Sequence, residues 1–445
     1  MKTPFKSIVG SINAPKGFSS SGVFCDVKKI GTGKGSDKGQ KRDLALIVSE
    51  RAATVAGMFT TNQVCAAPVK VCVENIRNGK AQAVVVNSGN ANACTGKQGT
   101  KDAWQMARVT AKTLGLDEGD VLVGSTGRIG WPLPMANIKQ GIADAAGQLK
   151  TTAKCADHAA EAIMTSDTKR KQIAVEFKLG GKAVRIGGIA KGAGMIQPGM
   201  SPTGARPASM PLHATMLGYI TTDADIAAKP VQAALREAVA ASFNCVTVDG
   251  DMSTNDTVLV LANGLAGNKR ITASGFKNNP DFLKFAYVLW QVCLELSKMM
   301  VRDGEGVHRV VKVNVTGANT LKDADLAARS VANSALVKTS WHGGDPNWGR
   351  IIDALGYSEA KVVEEKVDIG YSKPDSRKIV WSLKKGQPSK TSFATLCKAV
   401  EPKEFELHIN LNLGSGGRFI YAADLTEDYV DFNKGDISDP AALGG

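Results

Sequence analysis

The stretch Ala214-Thr215-Met216-Leu217 opens an apolar, alternating run that continues to Ile220. A run of this kind predicts a β-strand. A small residue followed by threonine at the start of such a strand also suggests a chain that cuts itself before Thr215 and then uses the new terminus. The freed α-amine titrates at about 7.7–8 and can accept the proton of the attacking threonine hydroxyl. Taken in isolation, Thr215 is an ordinary β-branched strand residue, so its neighbours decide between the two interpretations.

Length and composition are those of a large globular protein. The chain has 445 residues, of which 43% are hydrophobic and 22% are charged, and this is enough for a sizeable core and two or three domains. No apolar run approaches the ~18 residues that a membrane helix needs. The basic start at Met1–Lys6 is not followed by the hydrophobic segment of a signal peptide. We therefore expect a soluble, cytoplasmic protein with no membrane partner.

The formal net charge of +13 raises the question of nucleic-acid binding. The basic residues are spread along the chain, apart from one cluster between Lys28 and Arg42, and aromatic residues make up only 6%. Nucleic-acid binding proteins combine basic patches with aromatic residues on which bases stack, so we expect no nucleic-acid partner. A surplus of positive charge also draws anionic small molecules toward a site.

Cysteines and histidines form no recognisable metal-binding pattern. The eight cysteines and five histidines are dispersed, without a CxxC pair, which predicts reduced thiols and neither structural zinc nor a disulfide framework. The segment Asp249–Asp256 is rich in aspartate, but it lacks the closing glutamate of a twelve-residue calcium loop. We predict no metal site.

Hydrophobic periodicity predicts a mixture of strands and helices. The predicted strands include Leu44–Ser49, Val84–Val86, Val121–Val123, Thr215–Ile220, Val246–Val248, Val258–Leu261, Val307–Val315 and Leu407–Leu413. The predicted helices are Lys101–Leu114, Lys154–Met164, Val231–Ser242, Pro280–Val301 and Asp323–Leu336. The two types do not alternate regularly enough for a doubly wound sheet, so the fold class is α/β or α+β. A change of composition after Gly306 predicts a smaller domain in the C-terminal third.

Three polar segments at the ends of predicted elements contain groups that can carry chemistry. Gly124–Gly127 follows a strand directly, and a hydroxyl and a glycine amide there can donate to a developing oxyanion. Asn87–Gly96 also ends a strand, and its amides suit either a polar site or a turn that satisfies itself. Arg302–Gly306 follows a long helix, and its Glu305 either pairs with a substrate ammonium or is simply solvated.

Together these segments resemble the glutamate N-acetyltransferase/ornithine acetyltransferase family of arginine biosynthesis, whose members cleave themselves before the threonine of an Ala-Thr-Met-Leu sequence. The resemblance runs from Gly17 to Asn433. Its markers are NSGNANACTG at 87–96, STG at 125–127, KGAGMI at 191–196, ATML at 214–217, ITTDA at 220–224, DGDMSTNDT at 249–257, RDGEG at 302–306 and GDPNWGR at 344–350. Several long strings in a fixed order do not arise by coincidence.

The resemblance implies a fold and a domain organisation. The fold is a self-processing αββα layered arrangement of the N-terminal-nucleophile type, within the α/β class. Residues 1–305 form the main catalytic domain, cleaved between Ala214 and Thr215 into an α chain of 1–214 and a β chain from 215. A smaller α/β domain follows at 306–430, and a tail at 431–445 returns to the active site. The implied assembly is an α2β2 heterotetramer.

The resemblance also assigns roles to residues of this chain. Thr215 is the nucleophile, and Thr126 with Gly127 forms the oxyanion hole. The implied substrate-binding residues are Thr165, Lys191, Thr215, Glu305, Asn433 and Ser438. The family usually has threonine at the last of these positions, so Ser438 keeps the hydroxyl group and loses a methyl group.

The implied reaction is a ping-pong acetyl transfer. Thr215 takes the acetyl group from N2-acetylornithine, and glutamate then takes it from the threonine ester. The partners are these small molecules, and no cofactor is needed. Family members that also use acetyl-CoA share the same motifs, so acetyl-CoA stays open as a second acetyl donor.

One segment departs from the family pattern. Family members usually pass from the GMI-x-P-x-M segment directly to ATML, whereas here Ser201–His213 intervenes. An inserted surface loop costs little free energy, but residues next to the scissile bond can also alter the geometry that promotes cleavage. We expect cleavage between Ala214 and Thr215 to survive.

Two other functions are compatible with parts of the pattern. A self-cleaving aminopeptidase or amidohydrolase of related fold would transfer the acyl group to water, although such enzymes typically begin their β chain with serine. An uncleaved basic binding protein without catalysis would instead retain nucleic acid in a salt-sensitive manner. The motifs favour the acetyltransferase.

Overall fold

The structure is a computed structural model that describes residues 4–30, 41–205 and 216–434. Its strands are β1 Lys6–Ser7, β2 Phe18–Val23, β3 Leu44–Thr60, β4 Lys80–Asn90, β5 Val121–Arg128, β6 Lys171–Leu179, β7 Lys182–Lys191, β8 Met200–Ser201, β9 Leu217–Thr222, β10 Val246–Thr247, β11 Thr257–Ala262, β12 Val310–Ala318, β13 Asp368–Ser372, β14 Val380–Lys384, β15 Gln387–Pro388, β16 Glu404–Asn410 and β17 Gly416–Ala423. Its α-helices are α1 Val27–Ile30, α2 Ala67–Asn75, α3 Gly96–Leu114, α4 Met135–Gly147, α5 Ala153–Ala162, α6 Ala228–Ala240, α7 Pro280–Arg302, α8 Leu321–Asn333, α9 Ala335–His342, α10 Trp348–Gly356, α11 Phe393–Val400 and α12 Glu427–Phe432.

The long strand β3 organises the first sheet, whose order is β1-β6-β7-β9-β11-β3-β4-β5. The first half of β3 pairs with β2 and β4, and its second half pairs with β11 and β8. Between the halves, the register with β4 shifts from Val48 to Ala53, where Glu50 and Arg51 are exposed. An irregularity of this kind bends a strand, so the two halves of β3 belong to two differently oriented parts of the sheet.

The first sheet folds back on itself into two layers. In a flat sheet, β9 and β5 lie four strand spacings apart, or about 19 Å. Yet a Cβ atom placed on Gly124 of β5 would lie 2.2 Å from the phenol oxygen of Tyr219 on β9. Tyr219 is only 1% exposed. The outer strands β4 and β5 therefore stack face to face on β9, and glycine at position 124 makes room for the tyrosine ring.

This contact predicts how substitutions at Gly124 and Tyr219 combine. We expect Gly124→Ala to lower the free energy of unfolding by about 1–3 kcal/mol, because the added methyl group overpacks the layer interface. Tyr219→Phe removes the opposing oxygen, which is buried and has no hydrogen-bond partner among the described residues. The double variant should regain most of the lost free energy of unfolding, as measured by urea unfolding. Gly147→Ala, where a Cβ meets open space, is the control with little effect, and simple additivity at positions 124 and 219 would contradict the stacking.

Helices cover both outer faces of the folded sheet. On one side, α4 and α5 pack against β2 and β3. On the other side, α6 packs against β3, and α7 packs against β6 and β7. The order of layers is helix, sheet, sheet, helix, as the resemblance implies. None of the helices in the described ranges is long and apolar enough to cross a membrane.

A second sheet of seven strands has the order β10-β17-β12-β16-β13-β14-β15. Helix α8 packs against β12 and β17, over a core that includes the fully buried Val311 and Val313. Most of this sheet comes from Val310–Ala423, but its edge strand β10 comes from the chain before residue 305. The domain boundary at 305/306 stays a prediction.

The observed strands and helices overlap the predicted ones, with different limits, and one predicted helix is wrong. Each predicted strand overlaps an observed strand, although Thr215 itself lies outside the described residues. The single predicted helix over Asp323–Leu336 is wrong, because Ser334 takes an extended conformation and its side chain caps α9. The chain therefore forms two helices, α8 and α9, in this region.

Candidate active site

The chain immediately after Thr215 is fixed by hydrogen bonds to the loop before β11. The Met216 N–H donates to Oδ1 of Asp256, and the Met216 carbonyl accepts from the N–H of Thr257 at 3.0 Å. Ala214 and Thr215 lie outside the described residues. Because Met216 and Asp256 are both fully buried, the start of β9 is a fixed point around which the other predicted site residues can be located.

Lys191 lies beside this point. It ends β7 and pairs in register with Leu217, the first residue of β9. Its side chain is almost completely buried, at 3% exposure. Burial lowers the pKa of the Lys191 ammonium, although the negative charges of Asp167, Glu305 and Asp256 act in the opposite direction. A buried cation at this position can bind an anionic group of a substrate.

Asp167 supports the loop that carries Thr165. The N–H of Thr165 donates to Oδ2 of Asp167 at 3.0 Å, and the N–H of Gly192, next to Lys191, donates to Oδ1 at 2.7 Å. Burial opposes the charged form, yet the positive charges of Lys171 and Lys191 and the Gly192 N–H hold the pKa of Asp167 well below its usual range. The Asp167 carboxylate therefore joins Thr165 to Lys191.

A buried ion network lies behind this carboxylate. Nζ of Lys171 is 2.5 Å from an oxygen of Asp167 and 2.5 Å from an oxygen of Asp303. Asp303 also accepts hydrogen bonds from the backbone N–H groups of Thr168 and Lys169, each at 3.1 Å. Since Asp303 lies two residues before Glu305, the network connects two parts of the site that are far apart in sequence.

Glu305 and Asn433 are hydrogen-bonded to each other, and the charge of Glu305 acts on Lys191. Nδ2 of Asn433 donates to Oε2 of Glu305 at 3.0 Å, and the N–H of Glu305 donates to the carbonyl of Ala193 at 2.9 Å. A Cβ atom on Gly194 would lie 2.4 Å from the Glu305 carboxylate. Glycine at position 194 therefore allows the carboxylate to lie against the backbone of the KGAGMI segment.

A second glycine allows close packing of α12, the helix that Asn433 directly follows. Gly306 has φ +64°, and a Cβ atom there would lie 2.2 Å from the backbone nitrogen of Tyr429 in α12. The hydroxyl of Thr426 donates to the Gly306 carbonyl at 2.6 Å. A side chain at position 306 would push α12 away, so this glycine sets the distance between Glu305 and Asn433. Ser438 lies outside the described residues.

Thr126 and Gly127 lie at the end of β5. Thr126 is 2% exposed, and Gly127 has φ +128°, with backbone atoms of Gly89 and Asn90 where its Cβ atom would be. Nδ2 of Asn255 donates to the carbonyls of Ser125 and Ala91 at 2.8 and 2.7 Å. Because Asn255 directly precedes Asp256, this side chain connects the strand end that carries Thr126 to the start of β9.

The amide-rich segment at 87–96 supports this strand end. Its side chains hydrogen-bond both within the segment and to backbone of other elements: Asn87 donates to the carbonyl of Asn90 at 2.9 Å, whereas Ser88 donates to that of Ala162 at 2.6 Å. Ser125 donates to Oδ1 of Asn87 at 2.6 Å. These bonds favour a structural role for the segment over a binding site, and the bond between Ser125 and Asn87 holds β4 and β5 together.

Two features of this site do not follow from the sequence patterns. The aspartate-rich segment suggests only a calcium loop for Asp256, and no pattern gives Lys171 a role. The one available signal for Asp256 is its position directly before the buried strand β11, where a charged group needs a partner. For Lys171, its partner Asp303 is 132 residues away, and no local pattern indicates that contact.

The model of the ArgJ family matches residues 28–435 of this chain. The chain belongs to the ArgJ family. An arginine biosynthesis bifunctional protein ArgJ from Symbiobacterium thermophilum is 44% identical to it over 426 residues, which cover 96% of this chain and 98% of that protein. A glutamate N-acetyltransferase from Methanocaldococcus jannaschii is 43% identical over 432 residues, which cover 96% and 98%.

A solved structure of an ornithine acetyltransferase complexed with ornithine, from Mycobacterium tuberculosis, is 35% identical to this ArgJ family member. That match covers 44% of this chain and 100% of the solved chain, with a TM-score of 0.40. In the described part of this family member, Lys191 pairs with the first residue of β9, and Asn255, the residue before Asp256, binds the strand end that carries Thr126. Glu305 and Asn433 bind each other and follow Lys191 through the Ala193 carbonyl, and Thr165 joins Lys191 through Asp167. The structure does not describe Thr215, Ala214 and Ser438, so their roles stay predictions.

Proposed function

We propose that this chain is an acetyltransferase of arginine biosynthesis that moves the acetyl group of N2-acetylornithine to glutamate through an acetyl ester on Thr215. The observation that carries the proposal is the pair of opposite charges, Lys191 and Glu305, beside the strand that begins two residues after Thr215. N2-acetylornithine offers an α-carboxylate to the first and a side-chain ammonium to the second, and charge-assisted hydrogen bonds of this kind are strong.

The proposed reaction consists of two half-reactions, and protons are conserved in each. In the first, the Thr215 oxygen bonds to the acetyl carbon while the hydroxyl proton passes to the α-amine of Thr215. The negative oxygen of the intermediate is held by the Thr126 hydroxyl and the Gly127 N–H. The carbon–nitrogen bond then breaks, and the proton passes from the amine to the leaving ornithine nitrogen. In the second half, the neutral amine of glutamate attacks the ester carbon and passes one proton to the α-amine of Thr215. The bond between the acetyl carbon and the Thr215 oxygen then breaks, and the α-amine returns the proton to that oxygen.

The role of Glu305 predicts a kinetic effect. Glu305→Gln keeps an acceptor for Asn433 and removes the charge, so we expect KM for N2-acetylornithine to rise about 10- to 100-fold, the equivalent of one charged hydrogen bond. Because the contact is made equally in ground and transition states, kcat should change much less. Steady-state kinetics check this, with the exposed Glu237→Gln as the matched control. An unchanged KM would remove Glu305 from the substrate site.

The activity is tested by comparing reactions with and without the acceptor. Purified protein is incubated with N2-acetylornithine, and ornithine and N-acetylglutamate are measured with and without glutamate. We expect continuous ornithine release only with glutamate, matched by an equal amount of N-acetylglutamate. Acceptor-independent ornithine release would instead indicate a hydrolase, the second function that the sequence allows.

The acetyl donor, the assembly of the two chains and their location in the cell have separate tests. Acetyl-CoA stays open as a second acetyl donor, and acetylation of glutamate from acetyl-CoA alone tests it.

We infer cleavage into chains 1–214 and 215–445 that assemble as an α2β2 heterotetramer in the cytoplasm. Size-exclusion chromatography with light scattering measures the assembly, and a mass equal to one copy of the two chains would contradict the tetramer.

A further inference from the structure

Two histidines lie against each other at the start of α12. The ring centroids of His308 and His342 are 5.1 Å apart. His308 lies just before β12, and His342 ends α9. Both rings face the first turn of α12: Nε2 of His342 is 3.0 Å from a carboxylate oxygen of Glu427, and Nε2 of His308 is 2.6 Å from one of Asp428. The two imidazoles therefore attach α12 to two other parts of the chain.

The second ring nitrogen of His342 faces a buried carboxylate. Nδ1 of His342 lies 3.4 Å from Oδ2 of Asp424, whose side chain is fully buried. Neither of these two atoms has a hydrogen-bond partner among the described residues, whereas Oδ1 of Asp424 accepts the N–H of His308 at 3.0 Å. A neutral imidazole has one donor nitrogen and one acceptor nitrogen, and an acceptor that faces a carboxylate is repelled. The imidazolium is a donor at both nitrogens, so it satisfies Asp424 and Glu427 together.

Two other cations lie near the histidines, and both are bound to backbone. Lys338, one turn earlier on α9, donates to two backbone carbonyls, and Arg309, next to His308, donates to another. Burial lowers the pKa of the Lys338 ammonium to about 8, although the negative charges of Asp249 and Asp424 oppose this. Among the described residues, the two imidazoles are therefore the cations that pair with the first turn of α12.

Helix α12 carries this attachment to the substrate site. Asn433 directly follows α12, and its Nδ2 donates to Oε2 of Glu305 at 3.0 Å and to the carbonyl of Tyr429 at 2.9 Å. The hydroxyl of Thr426 holds the start of the helix on the Gly306 carbonyl, and this bond does not depend on pH. The two imidazoles add a pH-dependent part to the contacts that place Asn433 on Glu305.

We propose that His342 and His308 are positioning residues, which hold α12, and with it Asn433, against Glu305 while their rings are protonated. Histidine changes its charge between about pH 5 and 8. The attached helix binds these protons more tightly than the released helix, so the attachment weakens as the pH rises and the protons leave. For substrate binding the inference rests on the proposed function, in which Glu305 receives the ammonium of N2-acetylornithine.

The test is hydrogen exchange of the α12 amides in the full-length protein, measured by mass spectrometry at pH 6 and pH 8 and corrected for the intrinsic effect of pH on exchange. We expect the protection of the wild type to fall about three- to tenfold from pH 6 to pH 8, as for partly exposed ion pairs. His342→Gln keeps a polar side chain without a titrating group, so the ratio between the two pH values should fall. The double variant with His308→Gln should bring this ratio close to one. A merely structural role lowers the protection and leaves the ratio as in the wild type, and that result would overturn the inference.

His158→Gln is the matched control. This histidine lies on α5, and the charged groups that act on it are outside α12, namely Arg42, Glu161, Lys154 and Asp157. We expect the exchange ratio of α12 in this variant to equal that of the wild type. A ratio that falls as far as in the double variant would overturn the inference, because the effect would then not be specific to the two histidines at α12.

A lysine variant covers the case in which the glutamine variants do not fold. In His342→Lys the cation stays charged at both pH values, since the reference pKa of lysine is about 10.4. We expect α12 in this variant to be protected at pH 8 about as well as the wild type is at pH 6. Loss of that protection between pH 6 and pH 8, to the extent seen in the wild type, would overturn the inference.

The consequence for the substrate is measured separately. We expect KM for N2-acetylornithine to rise about three- to tenfold from pH 6 to pH 8 in the wild type, in step with the release of α12, and not to rise in the double glutamine variant. An equal rise in both proteins would overturn the link from α12 to Glu305. The exchange measurement needs no turnover, so its outcome is distinct from absence of acetyl transfer by the wild type, which would overturn the proposed function itself.

Discussion

Thr215→Ala is expected to give a single uncleaved chain without acetyl transfer. Alanine supplies no oxygen to attack the carbonyl of Ala214, so the β chain is never released and its α-amine is never freed. The same oxygen carries the acetyl group, so turnover should fall by at least on the order of 10⁴-fold, as when the nucleophile of a triad enzyme is removed. Denaturing electrophoresis measures the loss of cleavage, and release of ornithine from N2-acetylornithine measures the loss of acetyl transfer.

The matched control at this position is Thr215→Ser, which keeps the hydroxyl group and removes only a methyl group. We expect the serine variant to cleave and to retain measurable acetyl transfer. If Thr215→Ala were cleaved at the same bond, or transferred acetyl groups at a rate close to that of the wild type, Thr215 would not be the nucleophile. The surrounding fold is not expected to change, since Met216 is held by Asp256 and Thr257 independently of the side chain at 215.

Lys171→Met is expected to destabilise the protein by about 3–5 kcal/mol. The substitution fills a similar volume but leaves the buried carboxylates of Asp167 and Asp303 without their shared cation, and an unpaired buried charge is the costly outcome when one partner of such a network is removed. Both carboxylates are at most 8% exposed. Urea unfolding at neutral pH measures the loss. The matched control is Arg77→Met, because Arg77 and its partner Glu74 are well exposed and surface pairs contribute at most about 1 kcal/mol.

The destabilisation caused by Lys171→Met is expected to decrease as the pH falls. The pKa of Asp167 is depressed in the folded protein, so the folded state is stabilised above the unfolded value of about 3.9 and loses that stabilisation as the pH falls toward the folded value. In Lys171→Met only Lys191 and the Gly192 N–H still favour the charged form of the Asp167 carboxyl. The difference in unfolding free energy between wild type and variant should therefore shrink as the pH falls below about 4. A difference that grows in acid would contradict the role of Lys171.

The parts of the fold that follow from local pattern could be predicted. The apolar run at Val121–Val123 indicates a strand, and the polar turn that follows it places Thr126 and Gly127 at a strand end. Strand β9 is predicted from its alternation in the same manner. Long helices such as α7 are predicted from their apolar face, because an apolar stripe that recurs every three to four residues is typical of a helix that packs on a core.

Elements whose limits depend on tertiary contacts could not be predicted. The stacking of Gly124 on Tyr219 requires β3 to bend, and nothing near Glu50–Arg51 distinguishes a bent strand from the end of a strand. Helices α8 and α9 share one apolar pattern, and only the conformation of Ser334 separates them. The ion network could not be predicted for the same reason, because Lys171 and Asp303 meet across 132 residues of chain.

The segment Ser201–His213, which departs from the family pattern, begins at a residue that is held in the first sheet. Met200 and Ser201 form β8 against the end of β3, and the Thr61 hydroxyl donates to the Gly199 carbonyl at 2.7 Å. Residues 206–215 lie outside the described residues. The segment before the scissile bond is therefore anchored at β8, and the start of β9 is anchored at Met216, so both sides of the predicted cleavage point are attached to the same sheet.

Denaturing mass spectrometry of the purified protein, incubated first with N2-acetylornithine alone and then with glutamate, tests acetyl transfer through Thr215 most directly. The expected result is two polypeptides, the second beginning at Thr215 and carrying one acetyl group on the hydroxyl of that residue. Glutamate should then remove this group and form N-acetylglutamate. One intact chain of 46.7 kDa, or a second polypeptide that never carries the acetyl group while glutamate is acetylated, would contradict acetyl transfer through Thr215.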